Sequence, residues 1–308
     1  MSLNSIKIGT RGSKLALYQA AQVKSNIELW CETAVEIKII KTKGDEVLDI
    51  ALSKIGDKGL FTKELEAALQ NGDVDIAVHS LKDLPTEVPD DFMVGAVLER
   101  GDCRDALVSK HHKKLIELSS SDKIATSSLR RKAGLLSLNK HFQIIDIRGN
   151  VNTRVKKMEE GYCEAIVMAA AGLKRLGLHN YITEIFEPDI MIPAVSQGII
   201  ALEIRKNDTD IRNLVNKVNH LQTWLAATSE RAFMRTLQGG CQVPVGCYTQ
   251  MKDNLFSITG FVASPDGETY LREQLTGTVE KAEELGQQLA RILLDKGGDK
   301  ILKDIRIA

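Results

Sequence analysis

Residues 61–85 read FTKELEAALQNGDVDIAVHSLKDLP, and the order of patterns inside this stretch decides the fold. Phe61, Leu65 and Leu69 recur at helical spacing, and Asn71-Gly72 supplies a C-terminal stop. Val74, Ile76 and Val78 then recur at period two, which predicts a strand running directly out of the helix. Upstream, Ile6–Gly9 and Val35, Ile37 and Ile39 read as strands. Between them Ala16, Ala20, Val23 and Ile27 mark one face of a helix that begins at a cap on Ser13. Downstream, strand patterns follow at Met93–Leu98, Ala106–Val108, Lys123–Ala125, Ile144–Ile147 and Ala165–Ala170. Strands alternating with helices predict an α/β architecture with largely parallel sheets.

From about Leu221 the pattern changes. A helix through Glu230 and Leu237 precedes strand-like stretches at Phe256–Val262 and Thr269–Leu275, then an amphipathic helix through Ala282, Leu285, Leu289 and Ile292. This predicts a separate, smaller α+β domain of about ninety residues. The stretch Lys43–Gly59 has weak periodicity and reads as a loop that could close over a site.

Bulk properties exclude several classes. With 41 basic and 41 acidic side chains the formal charge is zero, so no general attraction to nucleic acid is implied. No apolar run approaches a membrane span, and the opening MSLNSIKIGT has no basic segment followed by an apolar one. Five scattered cysteines, an odd number, argue against a disulfide framework, and the expectation is a reduced cytoplasmic location. There is no Walker loop, no dinucleotide-binding glycine fingerprint and no nucleophile elbow.

The positions of the basic residues are more informative than their number. Arg11, Lys82, Arg148 and Arg175 each follow a predicted strand, Arg130 and Arg131 open a helix, and Arg154 lies on the next one. Ligands of open α/β sheets bind at the carboxyl ends of strands, where helix N-termini also favour anions. Recurrence there predicts a cleft for a compound bearing several carboxylates or phosphates. The bland alternative for any one arginine is a solvated charge or half of a salt bridge. Neighbours on a helix diverge by roughly 100°. Arg130 and Arg131 are therefore expected to serve two different anionic groups rather than clamp one carboxylate.

Asp83 lies between a buried-looking strand and a turn, and reads either as a carboxylate aimed at a donor or as a cap or partner of Lys82. Cys241 sits in LQGGCQVPVG, where two glycines let the thiol approach a ligand closely. Inert burial remains the reading for Cys31, Cys103 and Cys163. Cys241 and Cys247 lack metal-ligand spacing and a nearby histidine, so no metal site is expected. His79 could point into a core or into a site.

Seven motifs together resemble the porphobilinogen deaminase family in order and spacing. They are GTRGSKLAL at 9–17, DKGLFTKELE at 57–66, HSLKDLP at 79–85, SSLRRKAG at 127–134, RGNVNTR at 148–154, AAAGLKRLG at 169–177 and SERAFMRTLQGGC at 229–241. They span about three-quarters of the chain. Gly134 stands where the family more often has glutamine, and AVSQGII at 194–200 has less glycine than usual. The resemblance implies two lobes similar to type-two periplasmic binding proteins, residues 1–97 with 196–217 and residues 98–195. A third domain at 218–308 carries the cofactor.

It implies a transferase of heme biosynthesis that condenses four porphobilinogen molecules head to tail into the linear tetrapyrrole hydroxymethylbilane, releasing ammonia. The implied primer is dipyrromethane, joined to Cys241 by a thioether. Asp83 is the implied catalytic carboxylate. Lys82, Ser80, Thr126, Ser128, Arg130, Arg131, Arg148 and Arg154 are implied cofactor ligands, with Ser127 beside the hydroxyls. Arg11, Ser13, Arg148, Arg154 and Arg175 are implied substrate ligands, and Lys58 and Phe61 a possible lid. The family also implies a monomer that passes its product to the next tetrapyrrole enzyme.

Two rivals remain at this point. A non-enzymatic anion-binding protein on the same scaffold accounts for the arginines but needs neither Asp83 nor Cys241. A thiol hydrolase would use Cys241 with a histidine distant in sequence as base.

Overall fold

The computed structural model describes residues 5–46, 62–238 and 243–307. Lys58, Phe61 and Cys241 lie outside the described residues, as does most of the expected loop at 43–59, of which Lys43–Glu46 forms one helical turn. The chain divides into two compact units, Met1–Gly101 with Gly198–Trp224, and Asp102–Gln197 with Leu225–Ala308.

The first unit is built on a five-stranded sheet in the order Ala34–Ile39, Ser5–Thr10, Ile76–Ser80, Ile200–Arg205, Phe92–Val97. Strand alternation sorts its side chains: Ile76 and Val78 join the core under helix Lys14–Cys31, while Ala77 packs with Leu65 and Leu69 of helix Lys63–Gln70. Both faces of this sheet are therefore covered. Helix Lys14–Cys31 starts where expected, with the Ser13 Oγ accepting from the Ala16 N–H at 3.2 Å. Helix Lys63–Gln70 carries Glu64 and Glu66 in its first turn, complementing the dipole, and stops at Asn71-Gly72, where Gly72 has φ +74°.

The second unit contains another five-stranded sheet, ordered Gln143–Ile145, Lys123–Ala125, Ala165–Ala169, Asp105–Ser109, Ile182–Phe186. In each sheet the first two ladders are parallel and the last two antiparallel. The sheets are thus mixed, not largely parallel; side-chain periodicity carries no information on strand direction. The expected strand Ile144–Ile147 ends at Ile145 because the Ser127 hydroxyl takes both backbone groups of Ile147, donating to its carbonyl at 2.6 Å and accepting from its N–H at 3.1 Å.

The same unit holds a three-stranded antiparallel sheet, Val245–Lys252, Leu255–Ala263 and Tyr270–Thr278, of which the first strand is absent from the sequence reading. Helix Ala282–Leu293 covers it with Ala282, Leu285, Leu289 and Leu293, and Phe233 from helix Leu221–Thr236 completes the core. No helix among the described residues is long and apolar enough to cross a membrane.

Candidate functional site

In the first unit, Arg11 directly follows strand Ser5–Thr10, and Lys82 and Asp83 lie in the single 3-10 turn after strand Ile76–Ser80. Ser80, the last strand residue, is fixed from the side: its Oγ accepts from the Gln19 Nε2 at 2.7 Å. Ser13 spends one lone pair on its helix cap. The turn itself is closed by backbone, Leu84 N–H to Leu81 carbonyl at 3.3 Å. Asp83 is exposed, and its carboxylate makes no hydrogen bond or ion pair with the described residues. The cap and Lys82-partner readings of Asp83 therefore fall away. His79 turns inward instead, with its Nε2 2.9 Å from the Glu203 Oε2 of the adjacent antiparallel strand.

In the second unit, Arg130 and Arg131 occupy the first turn of helix Leu129–Leu138, capped by the Ser128 Oγ on the Arg131 N–H at 3.4 Å. This helix buries Arg130, Arg131, Ala133, Gly134 and Leu135. Both guanidiniums converge on one carboxylate. The Arg130 Nη1 donates to Asp105 Oδ2 at 2.6 Å, while Arg131 donates to Oδ1 from Nε at 3.0 Å and Nη2 at 2.8 Å. This overturns the expectation that neighbouring arginines could not share a carboxylate. Helical side chains lean toward the N-terminus, and two long ones can close the angle between their Cβ vectors on one acceptor.

Asp105 is fully buried at the start of strand Asp105–Ser109 and also accepts from the Gln197 Nε2 at 2.9 Å. Burial by itself would raise its carboxyl, but the two guanidiniums outweigh that and hold it well below the usual carboxylate range. Arg131 donates further to the Val167 carbonyl at 3.1 Å, and Arg130 to the Ile192 carbonyl at 2.7 Å. The Arg130 Nε is buried with no partner among the described residues. An orphaned donor on a buried cation fits a ligand that brings a carboxylate, as a pyrrole with acetate and propionate arms does.

The hydroxyls at the helix start are partly engaged: Thr126 accepts from the Ser128 N–H at 3.3 Å, Ser127 serves Ile147, and Ser128 is the cap. Arg148 follows strand Gln143–Ile145 by three residues, and Arg154 on helix Val151–Glu159 donates from Nε to the Gly149 carbonyl at 2.8 Å. Arg175 is placed differently from the rest. Strand Ala165–Ala169 passes straight into helix Ala170–Arg175, so this arginine sits in a last helical turn, where a cation suits the dipole.

Sequence reasoning missed Asp105, Gln197, Glu203 and Glu230. Glu230, fully buried, accepts from the Ser196 N–H at 2.6 Å and the Thr249 hydroxyl at 2.9 Å, tying three segments of the second unit together. It lies inside the SERAF run, so a charge amid apolar helix positions was its available signal. Cys163 is buried and its thiol is pushed up to about 11 by burial, whereas Cys31 and Cys103 are only half-buried.

Two family models match the chain: "Porphobilinogen deaminase, dipyromethane cofactor binding domain" over residues 6–213 and "Porphobilinogen deaminase, C-terminal domain" over residues 224–295. The porphobilinogen deaminase of Syntrophomonas wolfei is 46% identical over 309 residues, covering 99% of this chain and 100% of the relative. That of Chlorobaculum parvum is 46% identical over 305 residues, covering 98% of each. Among solved structures, the methionine-binding protein MetQ is 12% identical with a TM-score of 0.46, over 74% of this chain and 95% of that one. A periplasmic substrate-binding protein of an ABC transporter from Coxiella burnetii is 14% identical with a TM-score of 0.45, over 73% and 96%.

Proposed function

The chain belongs to the porphobilinogen deaminase family, and on that premise we propose the division of labour among its residues. It is a transferase of tetrapyrrole biosynthesis that condenses four porphobilinogen molecules into hydroxymethylbilane and releases ammonia. The observation that carries this is relatedness across the whole length, 46% identity over 99% of the chain. Dipyrromethane, when bound, supplies the primer to which incoming pyrroles are joined.

In this reading the Cys241 thiol carries the primer, and Arg130, Arg131, Arg148, Arg154, Lys82, Ser80, Thr126 and Ser128 hold it. Arg11, Ser13, Arg148, Arg154 and Arg175 hold the acetate and propionate groups of substrate, since guanidiniums match carboxylates bidentately. Asp83 is the catalytic carboxylate. A carboxylate there can accept from pyrrole N–H groups and stabilise the cation formed on the substrate as ammonia leaves. It can also take up the proton released after carbon–carbon bond formation. The proposal extends to Lys58 and Phe61 as lid residues, to three domains at 1–97 with 196–217, 98–195 and 218–308, and to a cytoplasmic monomer that hands its product to the next tetrapyrrole enzyme.

Intact mass tests it. Protein from cells making porphobilinogen is expected to exceed its sequence mass by one dipyrromethane, and Cys241→Ser to lose the increment. A fully active wild type without added mass defeats the reading. An anion-binding protein or a thiol hydrolase would carry no covalent dipyrrole in either form.

A further inference from the structure

Two cations and one anion share the buried cluster at the start of helix Leu129–Leu138, and their hydrogen bonds are unequally distributed. Arg131 uses Nε, Nη1 and Nη2 on Asp105, Val167 and Gln197, so all three of its nitrogens are engaged by protein. Arg130 uses only Nη1, on Asp105 and Ile192, and its Nε is buried without a partner among the described residues. Asp105 itself accepts four hydrogen bonds on two oxygens, from Arg130, Arg131 twice and Gln197.

Charge is as unequal as hydrogen bonding. Among the described residues of the cluster, two guanidiniums face one carboxylate, and a buried charge demands a partner. One ligand carboxylate balances the cluster; a second would leave it negative.

We infer that Asp105 is a positioning residue that commits Arg131 to the protein and presents Arg130 to a single carboxylate of the bound dipyrrole. This rests on the proposed function, because it takes the cluster as part of the primer's site, and deepens it by assigning the paired arginines unequal parts. Asp105 has both its oxygens taken by the protein, by Arg130, Arg131 and Gln197. It acts through the direction in which the Arg130 side chain is held, and the tolerance of such a preorganised site is about 0.5 Å.

Asp105→Glu tests this, because it preserves the charge count and displaces the carboxylate by a methylene. The protein is expressed in cells making porphobilinogen and purified, and the loaded fraction is read by intact mass beside a thermal melt. Asp105→Glu is expected to melt cooperatively while its loaded fraction falls at least tenfold below wild type. A folded Asp105→Glu protein loaded as fully as wild type overturns the inference. So does one that fails to melt cooperatively, since Asp105 would then be holding the fold rather than aiming an arginine. A wild type without the added mass defeats the proposed function and the inference with it, whereas a loaded wild type beside an equally loaded variant defeats the inference alone.

Discussion

Asp83→Asn separates structure from chemistry at one position. The residue is exposed, its carboxylate makes no hydrogen bond or ion pair with the described residues, and the turn around it is closed by the backbone bond from Leu84 to Leu81. The substitution keeps the size and one acceptor oxygen. Nothing folded should notice, and a stability change within about 0.5 kcal/mol is expected, which moves the melting temperature by about 1–2 °C. Turnover should behave otherwise. Removing a charge that stabilises a developing cation costs on the order of 3 kcal/mol, a hundredfold or greater fall. The assay is the initial rate of porphobilinogen consumption at saturation, on protein whose cofactor mass has been checked, with a melt on the same sample. A rate within threefold of wild type refutes the role of Asp83. A lowered melting point with the rate kept would make the residue structural after all.

Gly286→Ala is expected to destabilise by at least about 2 kcal/mol, read as a lower denaturation midpoint, even though alanine is the better helix former. A Cβ there would lie 2.1 Å from the Ser229 carbonyl oxygen of the facing helix. Acid should weaken the second unit through Asp105: its folded carboxyl is held below the unfolded value of about 3.9, so its stabilisation is complete above that pH and lost as pH falls from there toward the folded value. Melting temperatures should therefore be flat from pH 7 to about 5 and fall below about 4; a decline that begins above pH 6 would point to another group. Arg148→Leu or Arg154→Leu is expected to reduce cofactor loading, whereas Arg11→Leu should load and then stall in chain growth. Masses of enzyme–pyrrole intermediates check this, and identical profiles for all three would remove the distinction.

The covered elements were legible because their signals are local. The alternation through Val74, Ile76 and Val78 and the stop at Asn71-Gly72 are local signals for a strand and a helix end; the helix end stands as read, and the strand occupies Ile76–Ser80, starting after Val74. The Ser13 cap is a contact over three residues, equally local. What escaped depends on partners remote in sequence. The end of strand Gln143–Ile145 is set by Ser127, and strand Val245–Lys252 is held through pairing with Leu255–Ala263 in a run whose own pattern is broken by Gly246 and Thr249. The burial of Arg130 and Arg131 depends on an acid 25 and 26 residues away.

Asp105 escaped for a topological reason that applies to both sheets. Ligands bind at the carboxyl ends of parallel strands, and that rule alone points past Asp105. The fourth strand of each sheet runs the other way, so its first residue lies beside the last residues of its neighbours: Asp105 pairs with Ala169 in one sheet, and Ile200 with Ser80 in the other. A residue that begins an antiparallel strand therefore occupies the same end of the sheet as residues that follow the parallel ones. Asp105 heads the run DALVS and looks, in sequence, like a turn residue before a buried strand. Once strand Asp105–Ser109 is known to be antiparallel, the same aspartate belongs to the basic end of its sheet. There it accepts hydrogen bonds from both Arg130 and Arg131.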